Sequence, residues 1–228
     1  SLTEPAGEIV GPYALLGAGR TESLRCVMAQ HAASGGRMFV EGEPLTERDV
    51  AGRIARGIAL IPEDRKRDGL VQIMAIRENL TLSSLGRFTR AFHLDLKAEA
   101  WTAIDFIKRL TIKVASAENP VSSLSGGNQQ KVVIGKALMT NPKILLMDEP
   151  SRGIDIGAKA EVFRTMRKLA AEGLGILFVT SDLDEVRALS DRILVMANGR
   201  ITGEFPGDAD AAAIIGAASP GQPKVSAA

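Results

Sequence analysis

One cysteine, Cys26, is too few to close an internal disulfide, which fits a reducing compartment. Its own expected role is that of a small buried hydrophobe. Charge of one sign is also missing: 28 Lys plus Arg stand against 27 Asp plus Glu, for a net charge of +1. A broad basic field of the kind that holds DNA or RNA phosphates is thereby excluded. No apolar run approaches the roughly 20 residues that cross a bilayer. The opening Ser1-Leu2-Thr3-Glu4-Pro5 has neither the basic start nor the apolar stretch of a secretory leader. These absences predict a soluble chain that meets a membrane only through a partner. Internal repeats are lacking as well.

What is present is an ordinary globular composition. The 228 residues are 45% hydrophobic and 24% charged, enough to bury the core of one domain with room for an inserted lobe. Short apolar runs alternate with helical patterns, which predicts an α/β fold with a mostly parallel sheet flanked by helices. Ile9-Val10 leads through Leu15-Leu16 as a strand into a Gly-rich turn, and Ile58-Ala59-Leu60-Ile61 is a second strand closed by Pro62. The runs at 144–147 and 176–179 are apolar without alternation, as expected of strands covered on both faces. Ile193-Leu194-Val195-Met196, then Asn198-Gly199 and Arg200-Ile201, read as an edge hairpin around a type I′ turn. Between 70 and 140 the pattern is helical, and Trp101, Ile104 and Ile107 are expected to pack into the core. The domain is expected to span 1–207, and the Ala-rich and Pro/Gly-bearing stretch 208–228 is expected to fray. His31 and His93 sit in no motif and read as surface or packing residues.

The turn after the first strand reads Ala14-Leu15-Leu16-Gly17-Ala18-Gly19-Arg20-Thr21-Glu22. It follows the phosphate-loop pattern G-x-x-x-x-G-K-[ST] with Ala14 in place of the first Gly and Arg20 in place of Lys. In that pattern backbone N–H groups wrap phosphates, the Lys reaches the outer oxygens and the hydroxyl ligates magnesium. Arg20 keeps the charge but not the compact ammonium. Glu22 suits a helix dipole yet competes with a bound polyphosphate. Weakened nucleotide binding is therefore expected, and a plain Gly-rich strand-to-helix turn stays open as the alternative.

Ile144-Leu145-Leu146-Met147-Asp148-Glu149-Pro150 ends a buried strand in two adjacent carboxylates, at the sheet edge where α/β proteins bind ligands. Asp148 is expected to hold magnesium, and Glu149 to polarise or orient an attacking water. Upstream, Ser123-Leu124-Ser125-Gly126-Gly127-Asn128-Gln129-Gln130-Lys131 opens a helix with Ser125 as N-cap and Val133, Ile134, Ala137 and Leu138 on the buried side. Paired glycines at a helix start are costly unless something approaches the backbone closely. A phosphate at the exposed N–H groups is the expected visitor.

L-S-G-G-N-Q-Q-K followed by L-L-M-D-E-P resembles the ATPase domains of ABC transporters, from about Gly7 to Phe205. The blocks G-A-G-R-T-E, P-E-D-R-K-R-D-G-L (62–70) and S-R-G-I-D-I-G-A-K resemble one subgroup, the second ATPase domain of monosaccharide importers of the ribose, xylose and galactose type. The resemblance implies a P-loop NTPase fold of the ABC type, with a helical signature subdomain at about 70–140 and the edge hairpin already read. It implies ATP and Mg2+ as ligands, with Gly17, Ala18, Gly19, Arg20, Thr21, Glu22, Glu63 and Ser181 around the chain's own nucleotide. Magnesium would lie near Thr21, Glu63 and Asp148. Glu63 stands where a glutamine is usual and Ser181 where a histidine usually senses the terminal phosphate, so this site is expected to be the slow one.

Ser125, Gly126, Gly127 and Asn128 would face the ATP of a neighbouring domain, and Asp155 would touch that domain. The neighbour implied is an N-terminal ABC ATPase domain of the same full-length protein. Further partners are membrane permease subunits and, indirectly, a periplasmic sugar-binding protein, at the cytoplasmic face of the inner membrane. The first aromatic residue, Tyr13, lies inside the first strand, which implies an excised half lacking the usual adenine-stacking aromatic. Two other readings stay open: a non-catalytic interaction module, and a soluble ABC ATPase acting on nucleic acid or the ribosome. Near-neutral charge counts against the second of these.

Overall fold

The computed structural model describes residues 3, 5–14, 19–90 and 93–219. In chain order the elements are β1 (Ile9–Ala14), α1 (Arg20–Val27), β2 (Phe39–Val40), β3 (Glu43–Pro44), α2 (Val50–Ala55) and β4 (Ile58–Ile61). Then follow α3 (Ile76–Thr81), β5 (Thr89–Arg90), β6 (His93–Leu94), α4 (Leu96–Arg109) and α5 (Gly126–Leu138). The last part holds β7 (Ile144–Asp148), α6 (Ile156–Ala171), β8 (Gly175–Val179), α7 (Leu183–Leu189), β9 (Arg192–Ala197), β10 (Arg200–Pro206) and α8 (Ala211–Ala218).

The apolar runs form one six-stranded sheet in the order β10-β9-β1-β8-β7-β4. All its pairings are parallel except that of β10 with β9. Strands β7 and β8 lack alternation because helices cover both their faces: Leu145 and Met147 join one core cluster and Leu146 the other. Fully buried side chains such as Ile9, Ile61 and Phe178 each contribute about 1.5–3 kcal/mol by leaving water. The hairpin forms as its turn residues predict, with Asn198 and Gly199 both at positive φ (50° and 72°).

Register decides which residues share the carboxyl edge. Asp148 pairs with Val179, Met147 with Ile61, and Tyr13 bridges to Thr180. The segments leaving β1, β4, β7 and β8 therefore converge at one end of the sheet.

Two expectations fail here. Trp101 is 74% exposed and Ile104 39% exposed, whereas Ile107 packs against the core. The buried stripe of α4 runs through Glu99, Ala103, Phe106, Ile107 and Leu110, and two residues of helix turn Trp101 about 200° away from Ala103. Glu99 is tolerated on that stripe because Arg77 and the Thr81 hydroxyl donate to it, at 2.7 and 2.6 Å. The second failure concerns 208–228. Residues 211–218 form α8, capped by Asp210, with Ile214 and Ala218 buried in a cluster that includes Tyr13, Val186, Ile193 and Val195. Residues 220–228 lie outside the described residues. Cys26 is half-buried, more open than expected.

Candidate functional site

Of the phosphate-loop residues, Gly17 and Ala18, like Leu15 and Leu16, lie outside the described residues. Gly19 caps α1 at φ 84°, a left-handed conformation that only glycine adopts freely, so the loop enters the helix through a permissive residue. Arg20, Thr21 and Glu22 form the first turn of α1. Together with Glu63, Asp148, Glu149, Ser151, Arg152, Thr180, Ser181, Asp182 and Glu185 they line a cavity of about 610 Å3.

Inside it the expected pairs meet. The Thr21 hydroxyl donates to Asp148 Oδ1 at 3.2 Å. Burial pushes the Asp148 carboxyl above its ordinary value, and the hydroxyl of Thr21 partly opposes this. A hydroxyl and a carboxylate side by side are hard oxygen donors, which suit Mg2+ because that ion keeps several waters and binds phosphate oxygens as well. Glu63 stands in the same wall, but it is ion-paired with Arg152. Among the described residues no group of three or more His, Cys, Asp or Glu could hold a metal by itself. The pair Thr21 and Asp148 therefore fits a magnesium that arrives with its phosphates better than an all-protein cage.

Glu149 sits at φ 45°, a conformation that costs a non-glycine residue about 1–3 kcal/mol. Its backbone N–H donates to Val179 O at 2.9 Å, which holds the turn. Its carboxylate is held in turn: Ser181 N–H donates to Oε1 at 2.8 Å, and the Thr180 hydroxyl lies 3.2 Å from Oε2. It is thus the backbone N–H of Ser181 that engages the site. Arg20 approaches from the other side. Its Nη1 donates to Thr180 O at 2.5 Å and its Nη2 lies 3.8 Å from Glu149 Oε1, with both side chains largely buried. The guanidinium thus lines the cavity within ion-pair distance of the Glu149 carboxylate.

Glu185 adds to this network, although it reads in sequence as a plain helix-start acid. It is buried, and it accepts from Ser151 Oγ at 2.5 Å, Lys159 Nζ at 2.7 Å and Thr180 Oγ at 2.9 Å. Asp182 caps α7 through the N–H groups of Asp184 and Glu185.

The signature residues lie apart from this cavity, at the amino end of α5. Ser125 is exposed and caps the helix weakly, with Asn128 N–H at 3.5 Å and Asn128 Nδ2 at 3.0 Å from its Oγ. Asn128 Oδ1 accepts from Lys113 N–H at 2.9 Å. The paired glycines answer to the chain's own packing. A Cβ on Gly127 would stand 2.4 Å from Ala158 Cβ of α6, and one on Gly126 would stand 2.8 Å from Arg65 Nη2. A close approach of the kind that glycines at a helix start admit is thus made by the chain itself. The helix end nevertheless stays open at Ser125. Asp155 caps α6 through Ala158 N–H at 2.9 Å and is exposed.

A parallel sheet whose carboxyl edge gathers a phosphate-loop threonine and two strand-end carboxylates is the architecture of a P-loop NTPase. A family model described as ABC transporter matches residues 1–152, and the chain belongs to that family. A ribose import ATP-binding protein (RbsA 2) of Streptomyces coelicolor is 47% identical over 200 residues, covering 88% of this chain and 39% of that protein. A xylose import ATP-binding protein (XylG) of Ralstonia nicotianae is 44% identical, covering 87% and 39%. The chain thus spans about two fifths of the length of the curated relatives it matches. Among solved structures, a nucleotide-free ATP-binding cassette from an ABC transporter superposes with TM-score 0.77 at 25% identity, over 91% of this chain and 83% of that one. A dimeric cassette bound to ADP and Pi shares the fold at TM-score 0.77 and 22% identity, over 92% and 89%. No helix among the described residues is long and apolar enough to cross a membrane.

Proposed function

We propose that this chain is the second ATPase domain of a monosaccharide importer, and that its amino end of α5 completes the ATP site of an N-terminal ABC ATPase domain in the same full-length protein. The observation that carries this reading is an asymmetry. Ser125 is open at a helix start, while in the chain's own cavity Arg20 stands within ion-pair distance of Glu149. The first N–H groups of any helix lack an intrahelical partner, so Ser125 through Asn128 offer donors and partial positive charge to a neighbour's terminal phosphate.

The chain's own site works slowly. Thr21 and Asp148 would hold Mg2+ brought by ATP, and when bound that ion would offset phosphate charge. Glu149 orients the attacking water only once Arg20 has withdrawn from it. Ser181 offers no imidazole to sense the terminal phosphate. Phosphoryl transfer depends on positioning and electrostatics, so each ~1.4 kcal/mol lost from the transition state slows it about tenfold. The domain alone therefore hydrolyses ATP poorly.

The permease subunits dock beside segment 63–69, where a groove of about 530 Å3 is lined by Arg25, Arg67, Asp68 and Lys136. The assembly lies at the cytoplasmic face of the inner membrane and takes its sugar from a periplasmic binding protein. The ribose and xylose importers among the relatives support this reading. Measuring ATPase activity of the tandem protein with Glu149→Gln tests the catalytic part of it. A partial loss of turnover is expected, from the slow site alone. An unchanged rate favours the second reading, a non-catalytic module, which the pairing of Arg20 with Glu149 also supports.

A further inference from the structure

We propose that Arg65 is a positioning residue that locks the amino end of α5 to the loop following Glu149. Although it stands in the charged run 63–68, its side chain is only 8% exposed. Nη1 donates to Arg152 O at 2.6 Å and Nη2 to Gly153 O at 2.8 Å. The same Nη2, with Gly153 O at 3.1 Å, fills the space a Cβ on Gly126 would need. Three segments thus meet at one guanidinium, which bonds its own turn to a loop and packs beside the start of a helix. They are the turn that follows Glu63, the loop bearing Arg152 (the ion-pair partner of Glu63), and the helix that begins beside Ser125.

The chemistry requires arginine. A planar fork reaches two successive carbonyls at once, whereas an ammonium is a point charge on a flexible stem. A shift of segment 63–69 is therefore delivered to Gly126 and Gly153 together. Arg65 does not itself line the cavity; it reaches that wall only through the backbone of Arg152.

Arg65→Lys keeps the charge and removes the fork. Hydrogen exchange on the 228-residue chain reads the lock directly. Amides at 126–129 and 151–155 should exchange together about tenfold faster, while those at 132–137 and in β8 keep their wild-type rates. Wild-type rates at both segments, a rise at only one, or an equal rise along the whole chain would overturn the proposal. The last of these marks a general loss of stability.

A second readout rests on the function proposed above. In the tandem protein, Arg65→Lys should lower kcat about tenfold with little change in KM for ATP. A raised KM with unchanged kcat contradicts the positioning role. An inactive wild-type tandem protein instead overturns the proposed function, and the exchange rates still decide Arg65.

Discussion

At the cavity, charged groups have found one another: Arg20 faces Glu149, Arg152 holds Glu63, and Lys159 with two hydroxyls satisfies Glu185. At the amino end of α5 no charged pair forms among the described residues, and the polar bonds are local ones of Asn128 with Ser125 Oγ and Lys113 N–H. Ser125 is exposed, and its capping bond to Asn128 N–H is long at 3.5 Å. Both regions carry sequence motifs of nucleotide chemistry, yet one is walled by ion pairs and the other presents an exposed serine. A motif specifies which groups are available, and the surrounding charges decide whether they are free to act. From the first turn of α1 the forked Arg20 cation reaches both Thr180 O and Glu149.

The comparison can be broken most sharply at Ser125. Ser125→Arg in the tandem protein should lower ATPase activity and transport on the order of a hundredfold, the scale for losing a preorganised donor site. Arg20→Ala should cost only a few-fold. The reverse order would assign the working site to the cavity.

A smaller effect is expected at Gly127, where the demand for glycine comes from α6. Gly127→Ala should destabilise the chain by about 1–3 kcal/mol in urea titrations, because its Cβ would meet Ala158 Cβ at 2.4 Å. Unchanged stability would return the glycine to a ligand-binding role only.

The smallest effect concerns Asp148. Its carboxyl is raised by burial, so the native state holds its proton to higher pH than the unfolded chain does. Stability contributed by this group is therefore lost as pH rises from the ordinary carboxylate value of 3.8 through the raised native one. Asp148→Asn should be more stable than wild type at pH 7, and the gain should vanish toward pH 3. A constant difference across that range would mean that burial does not set the shift.

Much of this architecture is legible in sequence. The runs at 144–147 and 176–179 show no alternation because both faces are covered, and Asn198-Gly199 marks the hairpin by its need for positive φ. The juxtaposition of Thr21 with Asp148 follows from a motif, although their contact depends on how β1 and β7 flank β8. Other features are illegible because they join distant segments. Nothing local to Arg65 marks it as buried, since its partners lie 87 and 88 residues away. Glu185 looks like any acid in a first helical turn until Lys159 and Thr180 reach it from other elements. Trp101 departs from its expected burial because apolar spacing on α4 marks only a periodicity, and the burial of Glu99 and Ala103 selects the opposite face. Helix α8 is illegible because Ala-rich sequence gives little sign of docking, which here depends on Ile214 and Ala218.

The most direct test of the closed cavity is a calorimetric titration of ATP–Mg onto the purified chain, wild type against Arg20→Lys. Lysine offers a compact ammonium to phosphate and releases Glu149, so the variant should bind about tenfold more tightly. Equal or weaker binding by the variant would contradict the claim that Arg20 holds this site shut.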